Sequence, residues 1–211
     1  MQIFTKIEAY SGRPLVLAIG SFDGFHLGHQ KILKQVVEMA GNLGAVPAVL
    51  TFQQHPQSIL QPERPSPKAL MTSDQKFQIL ESLGIEVCFF LPFTLAFSKV
   101  EAETFVKEIL LGRLGMKAMC LGYNAHFGHD RKGNAASIKE LASKWKFRFE
   151  EIGSVSVDDE PVSSSRLRKL IMNGELEEAE RCLGRPWSVT GKVVSGKSRG
   201  KKWGFRRPIL N

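Results

Sequence analysis

Beyond Glu180 the 211-residue chain has no acidic residue, yet it holds nine basic ones there. The formal net charge of +8 therefore belongs to residues 181–211, and residues 1–180 are together one unit negative. That distribution argues against a nucleic-acid partner for the main body, which carries no net positive charge with which to hold a polyanion. Cysteine is scarce as well. Cys88, Cys120 and Cys182 are odd in number and far apart, with no Cys-x-x-Cys spacing. They fit neither a disulfide scaffold nor a zinc site and read as small core residues. No apolar run approaches membrane-spanning length, and Lys6 and Glu8 interrupt the stretch that a signal peptide would keep apolar. The expectation is a cytoplasmic protein with no membrane partner. A hydrophobic content of 43% with 9% aromatics gives it enough material for a globular core.

The chain is organised around Gly20-Ser21-Phe22-Asp23-Gly24-Phe25-His26-Leu27-Gly28-His29, which follows the apolar run 15–19. This reads as a strand, a glycine-rich turn and a helix start, an arrangement that offers backbone N–H groups and a positive dipole end to an anion. Neither a P-loop pattern nor Gly-x-Gly-x-x-Gly is read in the sequence. Gly24 and Gly28 would let backbone approach a polyphosphate, and His26 and His29 could donate to phosphoryl oxygens, which suits nucleotidyl transfer. A helix start that merely holds two surface histidines is the competing interpretation.

Helical spacing over 29–44, an apolar β-rich run at 45–52, and further helix and strand signals at 72–83, 86–91, 117–121, 134–146 and 148–152 predict an α/β fold with a parallel sheet. The proline-bearing stretch 53–71 reads as a long loop at the carboxyl edge of a strand, where open α/β sheets bind ligands. Ser98-x-x-Glu101 reads as a capping box opening a helix to about residue 111. Phe89, Phe90, Phe93 and Phe97 either line a pocket or fill the core. The loop Gly122-Tyr123-Asn124-Ala125-His126-Phe127-Gly128 repeats the strand-to-loop logic, with Asn124 able to donate and accept at a ring edge. Ser163, Ser164 and Ser165 before a helix, with Arg168 on its first turns, suggest a second anion site or an ordinary serine cap. A composition shift marks a boundary near 185, separating 1–185 from 186–211, where 187–195 looks β-rich.

Five motifs in order resemble the adenylyltransferase module of prokaryotic FAD synthetase, a bifunctional riboflavin kinase and FMN adenylyltransferase. They are the 20–30 run, Thr51-Phe52-Gln53-Gln54-His55-Pro56 with Leu70-Met71-Thr72, the 122–128 loop, Val162-Ser163-Ser164-Ser165-Arg166-Leu167-Arg168, and Leu183-Gly184-Arg185-Pro186. The resemblance implies a Rossmann-like nucleotidyltransferase that moves AMP from ATP to FMN, giving FAD and pyrophosphate. It assigns His26, His29 and Arg168 to catalysis, and Gly20, Ser21, Phe22, Asp23, Gly24, Gly28 and Ser163, Ser164 and Ser165 to ATP. Asn124 and Phe127 fall on the flavin or adenine side. Mg²⁺ would be held mainly by the polyphosphate and water.

Residues 191–205 resemble the opening of the flavokinase barrel, but Arg206-Arg207-Pro208-Ile209 stand where the family has Pro-Thr-Ala-Asn. One deleted base would produce that change. The expectation is a short, incomplete β segment, a kinase remnant without activity and with Trp187 and Trp203 exposed. The rivals are an adenylyltransferase for a nicotinamide or pantetheine phosphate and a catalytically silent flavin or RNA binder.

Overall fold

Six parallel strands form the centre of the computed structural model, which describes residues 1–129, 132–191, 193–194 and 209–210. They are β1 (Gln2–Phe4), β2 (Leu15–Ile19), β3 (Val46–Phe52), β4 (Val87–Leu91), β5 (Met116–Gly122) and β6 (Arg148–Ile152), in the order β1-β4-β3-β2-β5-β6. The chain builds outward from β2 in one direction through β3 and β4, then crosses back to β5 and β6. The order therefore reverses between β2 and β5, and a crevice opens there beyond the carboxyl ends of the strands.

Alternation along β2 divides the core. Leu15, Leu17 and Ile19 face one layer with Phe105, Val106 and Leu110 and with Ile138 and Ala142 of α6 (Ala135–Trp145). Val16 and Ala18 face the other, with Leu33, Val36, Met39 and Ala40 of α1 (Leu27–Leu43) and Leu80 of α3 (Ser73–Ser82). A third cluster joins α7 (Ser164–Asn173) and α8 (Leu176–Leu183) to Leu70 and Val162 beside the carboxyl edge.

The Rossmann-like expectation holds, and all three cysteines are buried and free. Several details differ. Strand β1 adds a sixth member at the edge, and a small hairpin, β7 (Ser156–Val157) with β8 (Glu160–Pro161), stands between β6 and α7. The loop 53–71 contains the short helix α2 (Pro56–Leu60), with His55 as its cap.

No capping box forms at Ser98. The chain turns through α4 (Leu95–Ser98), capped by Thr94, and Ser98 Oγ donates to the Leu95 carbonyl instead. The helix starts at α5 (Ala102–Thr104), with Glu101 at its cap, and continues to Arg113 as a π-helix. Of the β-rich 187–195 reading, among the described residues only β9 (Val193–Val194) is a strand, paired antiparallel with β10 (Ile209–Leu210). Trp187 is not exposed as expected. It is half-buried against the third cluster and donates from Nε1 to the Leu70 carbonyl at 3.1 Å. Trp203 and the Arg206-Arg207-Pro208 divergence lie outside the described residues.

Candidate active site

The loop from β2 into α1 lies at the reversal of strand order. Three of its residues have left-handed backbone, Phe22 (φ 44°), Gly24 (φ 86°) and Phe25 (φ 46°). For two buried phenylalanines this conformation costs energy and persists only because the surroundings over-determine it.

The over-determination is visible in the carbonyls. Ser21 O accepts from Lys76 Nζ at 2.7 Å and from Thr51 Oγ at 3.1 Å. Asp23 O accepts from Ser164 Oγ at 2.7 Å, and Gly24 O from Arg185 Nη2 at 2.9 Å. Phe25 O accepts from Gln30 Nε2 at 2.9 Å and from Arg185 Nη1 at 3.3 Å. Among the described residues, no backbone N–H of residues 21–28 has a protein acceptor. The loop thus presents successive unpaired donors at a helix N-terminus, next to the positive end of a 17-residue helix.

The two histidines stack, with ring centroids 3.7 Å apart and an interplanar angle of 22°. His26 caps α1, its Nδ1 accepting from the His29 N–H at 3.4 Å, so the neutral ring carries its proton on Nε2. Burial pulls the His26 pKa down to about 4 and the His29 pKa well below the usual histidine value, with His26 and Lys76 adding to the effect at His29. Both are therefore neutral near pH 7. His29 Nδ1 is buried and has no hydrogen-bond partner among the described residues. Phe22 packs edge-on against His29, at 5.2 Å between centroids.

The two glycines differ from the sequence expectation of an open approach. A Cβ on Gly24 would meet Leu70 Cδ1 at 2.8 Å, and one on Gly28 would meet the His26 ring at 3.1 Å. Gly24 makes room for Leu70 and Leu167, and Gly28 for the His26 ring. Asp23 is likewise turned to protein partners. Its carboxylate accepts from the Leu70 N–H and pairs with Arg168, whose Nε donates to the Lys68 carbonyl. Arg168 keeps Nη1 without a partner among the described residues and is partly exposed, so it can still meet an anion.

Ser163 caps α7 by accepting from the Arg166 N–H, Ser164 ties α7 to the loop, and Ser165 is exposed. Arg166 is spent on the Val157 and Glu160 carbonyls and on Glu178. At the end of β5, Asn124 is exposed, its amide free of bonds among the described residues and its carbonyl within 2.9 Å of His126 Nδ1. Phe127 is half-buried, 5.7 Å from Phe105 between ring centroids. The loops carrying Asn124 and His26 leave adjacent strands.

Sequence reasoning placed Thr51, Gln30 and Arg185 in motifs without giving them a role and passed over Lys76; all four hold the loop from behind. The available signal for Lys76 was its place four residues before Leu80, on the buried face of α3. It also passed over Gly191-Lys192-Val193-Val194-Ser195-Gly196-Lys197-Ser198, which does spell a P-loop pattern. Five of those eight positions lie outside the described residues, and no site is assigned to them. No group of three or more metal-ligating side chains gathers among the described residues, and none of their helices is long and apolar enough to cross a membrane.

Residues 9–166 match a family model described as FAD synthetase. The chain is 33% identical over 190 residues to the bifunctional riboflavin kinase/FMN adenylyltransferase of Buchnera aphidicola subsp. Schizaphis graminum, covering 90% of this chain and 61% of that protein. The Listeria monocytogenes protein of the same name is also 33% identical over 190 residues, with 60% of it covered. The chain thus spans about three fifths of these relatives' length. A crystal structure of a macrolide-efflux protein from Streptococcus pneumoniae superposes with a TM-score of 0.86 over 99% of this chain and 68% of that one, at 24% identity. That likeness speaks for the fold alone.

Proposed function

Since this chain belongs to the FAD synthetase family, we propose that it transfers AMP from ATP to FMN, giving FAD and pyrophosphate. An oxygen of the FMN phosphate attacks the α-phosphorus, and the bond to the β-phosphate oxygen breaks. A phosphate is already ionised at neutral pH, so the reaction asks for positioning and charge stabilisation rather than a general base. The observation that carries the reading is the unpaired row of N–H donors over residues 21–28, set beside two neutral histidines where the strand order reverses.

In this reading His26 and His29 meet the ATP phosphates together with the backbone of Gly20, Ser21, Phe22, Asp23, Gly24 and Gly28. Arg168 and Ser163, Ser164 and Ser165 close the far side, and Asn124 and Phe127 serve the flavin or adenine. Mg²⁺ arrives on the polyphosphate, whose oxygens supply the hard ligands it prefers. The activity is assigned to the part matched by the family model and not to the kinase half of the relatives.

Incubating the purified chain with ATP, Mg²⁺ and either FMN or riboflavin, then separating the flavins, tests the reading. FAD from FMN is the expected product. No FAD from FMN overturns it, and a nicotinamide or pantetheine phosphate adenylylated in its place identifies the rival substrate. FMN from riboflavin overturns the expectation of a kinase remnant without activity.

A further inference from the structure

Arg185 follows Gly184, the left-handed cap of α8, and precedes Pro186. A Cβ on Gly184 would stand 2.9 Å from Leu27 Cδ2, so the chain leaves α8 in contact with the first residue of α1. The Arg185 side chain then reaches back beneath the loop. Its guanidinium donates to the carbonyls of Gly24 (2.9 Å), Phe25 (3.3 Å) and Leu183 (3.4 Å). No carboxylate lies within ion-pair distance of it among the described residues, although it is largely withdrawn from solvent. A half-buried cation that neutralises no acid is costly to keep. Here it holds two successive peptide planes of a left-handed segment.

Because a trans peptide is planar, its C=O and the following N–H point in opposite directions. Fixing the Gly24 and Phe25 carbonyls toward Arg185 therefore fixes the N–H groups of Phe25 and His26 away from it. Neither N–H has an acceptor among the described residues. We propose that Arg185 is a positioning residue for adenylyl transfer, aiming the Phe25 and His26 amides at the ATP polyphosphate from the opposite side of the loop. This rests on the adenylyltransferase reading above.

The anchorage continues along the chain. Trp187 donates to the Leu70 carbonyl, Gln75 Nε2 donates to Ser188 Oγ at 3.1 Å, and Leu70 N–H donates to Asp23. Trp187 is thereby tied through Leu70 to Asp23 of the loop and Ser188 to α3, so a displacement of this segment is felt at the phosphate site.

Arg185→Met, Arg185→Gln and Arg185→Lys test the proposal in the full chain, with kcat and KM for ATP and FMN, thermal midpoints, and binding of inorganic pyrophosphate. For Arg185→Met, kcat/KM for ATP should fall about 30-fold, the loss of two charge-assisted bonds, while KM for FMN holds within about twofold. Pyrophosphate affinity should fall with it. Arg185→Gln, which keeps a donor for one carbonyl, should recover part of the loss. Unchanged ATP kinetics overturn the proposal, as does a lowered midpoint with normal turnover per folded molecule or a failure of all three variants to fold. If the wild-type chain makes no FAD, the functional reading falls separately, and equal pyrophosphate affinity in wild type and Arg185→Met then overturns this proposal as well.

Discussion

Gly28 is the seat of the His26 imidazole: a Cβ at position 28 would stand 3.1 Å from Nδ1 and 3.2 Å from Cε1 of that ring. The ring has little room to yield, because it is buried and stacked on His29. The glycine between the two histidines therefore allows the ring to cap the helix.

Gly28→Ala separates activity from stability. Alanine gains up to about 1 kcal/mol of helix propensity, and a displaced cap costs about as much. The unfolding free energy should stay within about 1 kcal/mol of wild type. FAD formation should drop by tenfold or more, since His26 no longer holds its place. Denaturant titration and steady-state assay check the two halves, and normal turnover would show that His26 need not sit where it does.

Burial of His26 makes stability depend on pH in one direction. Its folded pKa of about 4 lies below the unfolded value near 6.5, so the unfolded state binds more protons between these limits. The contribution is whole above about pH 6.5 and is lost as pH falls toward 4, on the order of 3 kcal/mol in total. His29 acts with the same sign. His26→Asn keeps a side chain that can cap α1 but cannot titrate, so its stability should fall about 2 to 3 kcal/mol less than wild type between pH 7.5 and 4.5. Parallel pH profiles for the two proteins would refute this.

Lys76 is buried on α3, donates to Ser21 O and Thr51 Oγ, and has no carboxylate within ion-pair distance among the described residues. Desolvation pulls its pKa down, while Asp23 partly restores it. A buried cation of this kind contributes little net stability. Lys76→Met should leave the thermal midpoint nearly unchanged yet lower kcat/KM for ATP about tenfold, through the released Ser21 carbonyl and the lost positive field. A large loss of stability with normal kinetics would make Lys76 a packing residue.

Strand β2 and the capping of α6 by Asn134 were legible because they rest on local signals: an apolar run, and a side chain reaching its own helix end. Strand β1 was not, because three residues carry almost no pattern and the strand exists only by pairing with β4. Ser98-x-x-Glu101 misled for the opposite reason: the local pattern is correct, but Ser98 ends one helical turn and Glu101 begins the next. At the site, the histidines and the Ser163 cap are sequence-local. The ties from Thr51, Lys76 and Arg185 join residues 30 to 161 positions apart, and no spacing rule reveals them.

The Asp23 and Arg168 pair tests how the loop is fastened to α7. Both side chains are largely buried, at 12% and 16% exposure, and Asp23 also receives the Leu70 N–H. Removing one partner strands the other charge, so Asp23→Ala and Arg168→Met should each destabilise by about 3 kcal/mol. The double variant removes both charges and should lose about 1 to 3 kcal/mol less than the sum of the single losses. Activity should not follow stability. Because Arg168 has Nη1 free for an anion, the double variant should remain far below Asp23→Ala in turnover at a temperature where both are folded. Strict additivity in stability would mean that the pair is not coupled. Equal turnover in the two variants would remove Arg168 from the phosphate site and leave it the task of holding the loop.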